Sequence, residues 1–196
     1  MFGSHVNYRL GREETDMRIV TIGRGNIGGG LARLWRAAGH DVEELGRDGG
    51  DASDADVVLV AVPGDQIAPA LGKVTGLAGK IAIDATNVFG DRPGDVPSNA
   101  EEVQSATGGP VAKSFNMNYA SLFDRVREQR VRPSNWYVAD DGAVEVTETL
   151  IRDAGYDPVR VGDLSRARAF EHAVWLLLAA TPPGGVFYRF APPGEL

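Results

Sequence analysis

Three glycines, Gly23, Gly25 and Gly28, stand at the spacing G-x-G-x-x-G in the stretch "TIGRGNIGGG" (21–30), directly after the apolar run "MRIVTIG" (17–23). At a strand end that opens a helix, this spacing does specific work. The first glycine permits a tight turn, the second lets a pyrophosphate approach the backbone, and the third lets the helix pack close to the sheet. The helix start offers unsatisfied N–H groups to phosphate oxygens. Gly23, Arg24, Gly25, Asn26, Ile27 and Gly28 are therefore expected to contact a dinucleotide. About 20 residues further on, an acidic side chain in such sites bonds a ribose 2′-hydroxyl. Here Glu43 and Glu44 lie near that window, but Gly46 takes the acidic slot with Arg47 beside it. A glycine leaves room for a 2′-phosphate and a guanidinium is shaped to bind one. Arg24 reaches the same side. NADP(H) is the reading favoured; in the alternative, Glu43 or Glu44 holds the ribose of NAD and both arginines are solvated.

Three further segments follow or end strands and share one edge: Ala61-Val62-Pro63, Thr86-Asn87, and Ser114 to Asn118. Hydride transfer needs chiefly a dry pocket that places donor and acceptor carbons correctly. Amide side chains suffice for that, so Asn87, Asn116 and Asn118 are the candidates for positioning the nicotinamide and a substrate, with Phe115 and Met117 as packing walls. In the plainer reading, these asparagines cap strand ends in turns. Proton donors are few. His5 lies in the N-terminal arm, His40 follows a helix C-terminus far from that edge, and His172 reads as a packed or surface residue. Tyr119 is a weak candidate donor, and the strand phase sets Lys113 opposite Ser114, where it only flanks the sheet.

The elements that must hold these residues alternate in type. Strands are expected at 17–23, 40–45, 56–63, 80–87, 110–117 and 135–141, with 157–164 a seventh strand or an extended connection. Helices are expected after the glycine loop, over 65–77, from a Ser98 cap with Glu101 and Glu102 behind it, over 142–154 and over 165–180. Gly39 and Gly155 sit at helix ends. The alternation predicts a Rossmann-type, doubly wound α/β domain with a mainly parallel sheet and helices on both faces. "DGGDASDAD" between the second and third strands is too short for the usual helix. Residues 1–16 read as an N-terminal arm, disordered or left over from cloning; 17–180 form the domain, and 181–196 a tail.

The chain has 196 residues, 43% hydrophobic and 24% charged, and no cysteine. A disulfide framework, a zinc–thiolate site and thiol catalysis are excluded, no carboxylate pair or His cluster suggests a metal, and a cytoplasmic setting is expected. The net charge of -7 argues against nucleic acid or an anionic membrane as partner. "AVWLLLAA" (173–180) falls well short of the roughly 20 residues that a membrane span needs.

The ordered set "IGRGNIGGGLARLWRAAGHDV", "GR", "VLVAVP", "IDATN", "SNAEEV", "AKSFNM", "YVADD", "IRDAGYDPVRVGDL" and "SRARAFEHAVWLLL" resembles the NADP-dependent reductases of the deazaflavin coenzyme F420. It covers Met17 to about Ala180. The resemblance implies cofactor contacts at 23–28, at Gly46-Arg47 and around Val62-Pro63, and a deazaflavin or flavin as hydride acceptor. Two places depart from it: the missing helix after the second strand, and the loop "VFGDRPGDVP" (88–97). One alternative is a reductase of a small carbonyl or imine, although related β-hydroxyacid dehydrogenases add a helical domain for which this chain has no room. Another is a non-catalytic NADPH-binding sensor or redox partner. Ala167, Phe170, Val174, Leu177 and Leu178 form a core stripe first and a homodimer face second. The aromatic tail is expected to close the substrate pocket or to pack on a partner subunit.

Overall fold

A computed structural model describes residues 16–87 and 98–194. The N-terminal arm with His5, and the loop 88–97, lie outside the described residues. The first strand, β1 (Arg18–Ile22), is buried on both faces and runs into α1 (Asn26–Ala37). Leu31, Leu34 and Trp35 recur at helical spacing and turn one face of α1 inward. The Trp35 indole N–H donates to the Leu150 carbonyl at 2.8 Å, which pins α1 to a second helix on the same face. Next come β2 (Asp41–Leu45), a two-residue β3 (Gly50–Asp51) and β4 (Val57–Val60).

A correction concerns the helix expected over 65–77. A turn of 3-10 helix leads into a five-residue α2 (Ile67–Leu71), and β5 (Val74–Thr75) follows. Those two residues pair in parallel with β3, giving a small second sheet where a helix normally joins the second and third strands. The Asp51 carboxylate accepts from the Ser53 and Thr75 hydroxyls, both at 2.7 Å, and these bonds fasten the substitute in place.

The chain continues through β6 (Ile81–Asp84), α3 (Asn99–Thr107), β7 (Val111–Ser114), β8 (Ser134–Ala139), α4 (Asp141–Asp153), β9 (Asp157–Gly162) and α5 (Ala167–Ala180). The expected cap at Ser98 forms: its hydroxyl accepts from the Glu101 amide and donates back to the Glu101 carboxylate. The seventh strand is a true strand, paired with β8.

The main sheet has the order β2-β1-β4-β6-β7-β8-β9. Its first five strands are parallel, whereas β8 runs antiparallel to β7. Residues 115–133 contain 3-10 turns that tuck Phe123 and Val126 into the core rather than a crossover helix, so the chain re-enters the sheet from the edge it left. The starts of β8 and β9 thus share an edge with the carboxyl ends of β1, β2, β4, β6 and β7. Two cores flank the sheet: α1 and α4 pack around Trp35, Phe115 and Tyr156 on one face, and α2, α3 and α5 pack around Ile67, Val103 and Phe170 on the other. No helix among the described residues is long and apolar enough to cross a membrane.

Candidate dinucleotide and acceptor site

The three glycines separate cleanly by what surrounds them. At Gly23, φ is +105° and a Cβ would fall 2.4 Å from the Ala61 carbonyl oxygen, so the turn admits only glycine. At Gly28 a Cβ would fall 1.9 Å from the Gly23 oxygen, inside the closest approach of α1 to the sheet. Gly25 differs: φ is an ordinary -77° and a Cβ would meet no atom of the described residues within 4 Å. Nothing in the protein fold requires glycine there, and the open space lies at the N-terminus of α1. That terminus has no side-chain cap and no acidic residue in its first turn. Its free N–H groups and the positive end of the helix dipole can receive an anionic ligand. Gly25→Ala is therefore expected to leave the melting temperature within about 1 °C of wild type and to weaken dinucleotide binding by at least about tenfold. Gly28→Ala is expected to destabilise by about 1–3 kcal/mol through overpacking. Thermal melts and ligand titrations check the contrast, and a Gly25→Ala protein that binds normally contradicts it.

The second feature lies across the carboxyl ends of β1 and β2. Ile22 and Leu45 are register partners, so Gly23 and Gly46 leave the sheet side by side. Arg24 folds over Gly46: a Cβ there would lie 3.1 Å from the guanidinium carbon. Arg47 is exposed next to it, and among the described residues neither guanidinium has an acidic partner. The two carboxylates that compete for a ribose role are already engaged. Glu43 pairs with Arg18 at 3.3 Å and Glu44 with Arg36 at 2.6 Å. The arrangement can hold a phosphate on the ribose side, and neither Glu43 nor Glu44 is left unpaired for a bare 2′-hydroxyl.

The third feature is the amide pair at the ends of β6 and β7. Asn87 Nδ2 donates to the Asn116 carbonyl at 2.8 Å, and Asn116 Nδ2 donates to Asn87 Oδ1 at 3.3 Å. Among the described residues the buried Oδ1 of Asn116 has no partner, and it can accept an N–H from a ligand amide. Between β7 and Asn116 stands Phe115, which has φ +63° although it is a bulky residue. Such a conformation costs about 1–3 kcal/mol and persists only where packing enforces it. Phe115 is fully buried, edge-on to Trp35 at 5.8 Å and to Tyr156 at 6.5 Å, and its reversal turns Asn116 back toward Asn87.

Not every expected residue reaches this edge. Ser114 is fully buried on the α1 and α4 face, where its hydroxyl donates to Asn135 Oδ1 at 3.0 Å, so its side chain is turned away from a ligand. The odd–even alternation of β7 puts Ser114 and Lys113 on opposite faces. Asn118 points to the start of β8, donating to the Ser134 carbonyl at 3.4 Å. Thr86 is 2% exposed and its hydroxyl accepts from Asn99 Nδ2 at 2.6 Å. Val62 and Pro63 lead into the 3-10 turn that begins at Gly64. His40 is buried far from the edge, accepting from the Met17 amide and bonded to Asp153 at 2.9 Å; His172 is exposed on α5. The hydroxyl of Tyr119 donates to Thr181.

Lys113 corrects the sequence reading most. It does not flank the sheet; it is fully buried between Asp84 and Glu171. Asp84 within "IAIDATN" and Lys113 within "PVAKSFNM", each a lone charge in an apolar strand, were the available signal. The tail packs on its own chain. The Tyr188 carbonyl accepts from the Ser134 amide at 2.7 Å, the Phe190 amide donates to Ser134 Oγ, and Arg189 pairs with Asp157. Tyr188 meets Trp136 edge-on, and Phe190 lies tilted against it. Burial pushes the Tyr188 hydroxyl above the ordinary tyrosine range; it lies near Asn118 without full hydrogen-bond geometry. On α5, Ala167, Phe170 and Val174 are core, while Leu178 stays 38% exposed.

A mainly parallel seven-stranded sheet, helices on both faces and a glycine loop at its carboxyl edge define a Rossmann-type α/β domain of the kind found in NAD(P)-dependent reductases. Among solved structures the chain is similar to a protein from Arthrobacter sp. FB24 provisionally assigned as an F420-dependent NADP reductase. That likeness has a TM-score of 0.74 at 23% identity and covers 90% of this chain and 100% of the other. A hypothetical protein from Sinorhizobium meliloti matches with TM-score 0.62 at 25% identity, over 78% of this chain and 88% of the other. An Aspergillus terreus reductive aminase in complex with NADPH matches with TM-score 0.59 at 13% identity, over 84% of this chain and 61% of that longer one. No protein-family model and no curated protein matches the sequence.

Proposed function

We propose that the chain is an NADP(H)-dependent oxidoreductase that passes hydride between the nicotinamide and a planar acceptor, a deazaflavin such as coenzyme F420 or a flavin. The observation that carries the reading is the uncapped α1 N-terminus at Gly25, flanked by Arg24 folded over Gly46 and by Arg47. A pyrophosphate fits the first, and a ribose 2′-phosphate fits the second. The dihydronicotinamide supplies the hydride when bound. The protein's part is to bind, orient and keep water out. Arg24 and Arg47 hold the phosphate, Ala61 to Pro63 back the ring, and the Asn87–Asn116 pair offers the Asn116 Oδ1 atom to a carboxamide N–H.

A planar acceptor is favoured over a ketone or imine because such a substrate gains from a positioned acid. The described edge offers Tyr119, committed to Thr181, and Tyr188, whose proton burial retains. The likeness to a reductive aminase keeps imine reduction as the second reading. The test is NADPH oxidation by the purified protein with oxidised F420, free flavins or a cyclic imine as acceptor. Rapid bleaching of the deazaflavin or flavin is expected. Imine turnover alone would establish the second reading, and tight NADPH binding without turnover of any acceptor would favour a cofactor-binding sensor. A soluble cytoplasmic homodimer is the form proposed for the working enzyme.

A further inference from the structure

The face of the sheet covered by α3 and α5 carries an ionic cluster that the hydride chemistry does not use. Asp84 and Lys113 are register partners in β6 and β7, and both side chains are 0% exposed. Lys113 Nζ donates to Asp84 Oδ2 at 2.6 Å, to the Thr86 carbonyl at 2.9 Å, and lies 3.1 Å from Glu171 Oε1 on α5. Two of the three ammonium donors are thus hydrogen-bonded, and the Glu171 carboxylate adds a second ion pair.

All three polar groups of Thr86 belong to this cluster. Its amide donates to Asp84 Oδ1 at 2.8 Å, its carbonyl accepts from Lys113, and its hydroxyl accepts from Asn99 Nδ2 at 2.6 Å. The Asn99 amide in turn donates to Glu171 Oε1 at 2.7 Å, which ties the start of α3 into the same cluster. Thr86 lies beyond the last strand pairing of β6, so no sheet ladder fixes it. The residue after it is Asn87, the partner of Asn116. The β4 loop closes directly on this turn, because a Cβ on Gly64 would fall 2.6 Å from the Asn87 carbonyl oxygen and 2.8 Å from Asn99 Nδ2.

A buried ion cluster is a poor way to gain stability, since apolar residues of similar volume often serve as well or better. What an ammonium adds is direction, through donors on fixed vectors. We propose that Lys113 is a positioning residue for the nicotinamide end of the site: it never touches the ligand, and acts through Thr86 to set Asn87 against Asn116. The proposal rests on assigning this edge to a nicotinamide dinucleotide and deepens that assignment. Its consequence is a division of the ligand. The adenosine half, on the far side of β1 at Arg24 and Arg47, should not sense Lys113, whereas the nicotinamide half should.

The experiment titrates wild type, Lys113→Met and Asn99→Ala with NADPH, following the polarisation of the dihydronicotinamide fluorescence, and with 2′,5′-ADP, which lacks that ring, by calorimetry. Asn99→Ala removes the bond to the Thr86 hydroxyl and leaves the three ions in place, so it carries the test if Lys113→Met does not fold. NADPH affinity is expected to fall about tenfold in Lys113→Met and about threefold in Asn99→Ala, with 2′,5′-ADP affinity within about twofold of wild type. The bound ring should also become more mobile in both variants. Equal losses for the two ligands, or no change for either in a folded variant, would overturn the positioning role and leave the cofactor assignment standing. A wild-type protein that binds neither ligand would overturn both.

Discussion

Replacing Lys113 by methionine is expected to lower the unfolding free energy by about 3–5 kcal/mol, the usual cost of stranding a buried charge by removing its partner. For a domain of this size that corresponds to a fall in melting temperature of about 10 °C. The reason is local. Asp84 Oδ2 loses its ammonium and Glu171 keeps only part of its compensation, so two carboxylates are left facing each other beneath α3 and α5. The Thr86 carbonyl loses its donor as well. Methionine fills most of the volume, so packing contributes little to the loss. The double variant Lys113→Met/Asp84→Asn should recover part of the stability, because one stranded charge is gone and the two sites are in contact. Urea unfolding of wild type, the single variants and the double variant at neutral pH measures this coupling. A loss below about 1 kcal/mol in Lys113→Met would mean that the three groups do not form an ionised cluster.

The second large effect concerns cofactor choice. Arg47→Ala should weaken NADPH about 10–100-fold and leave NADH within about twofold, since a hydrogen bond to a charged phosphate contributes about 1.5–3 kcal/mol. Arg24→Ala should act in the same direction. Gly46→Asp should go further and reverse the preference. Its side chain would enter the space where a Cβ already approaches the Arg24 guanidinium at 3.1 Å, and it would restore an acid for the ribose 2′-hydroxyl. Glu43 and Glu44 are already paired with Arg18 and Arg36, which offset their charge. Paired titrations with the two cofactors decide the matter, and equal losses for NADPH and NADH in Arg47→Ala would remove the 2′-phosphate assignment.

Legibility in the sequence tracked how local the physical cause was. The glycine loop could be read because its spacing compresses three separate demands, a left-handed turn, an open approach and a tight helix contact, into six residues. The Ser98 cap and the helix-ending Gly155 were legible for the same reason. The direction of β8 was not, because a strand's apolar pattern is the same whichever way it runs; the tucked 3-10 segment decides it. The region 65–77 read as one helix because its apolar spacing does not reveal that Val74 and Thr75 find a partner strand 24 residues earlier. Candidate side chains divided similarly. Asn87 and Asn116 meet as their positions after β6 and β7 suggested, whereas Ser114 turns inward by strand alternation. Glu171 and Asn99 join the Lys113 cluster from helices distant in sequence, and nothing local announces that.

The measurement that bears most directly on the central claim is calorimetric titration of the wild-type protein with NADPH and with NADH at about 0.15 M salt, where exposed charges are screened as in a cell. One NADPH per chain, bound at least about tenfold more tightly than NADH, is the predicted result. Absence of NADPH binding, or tighter binding of NADH, would contradict it.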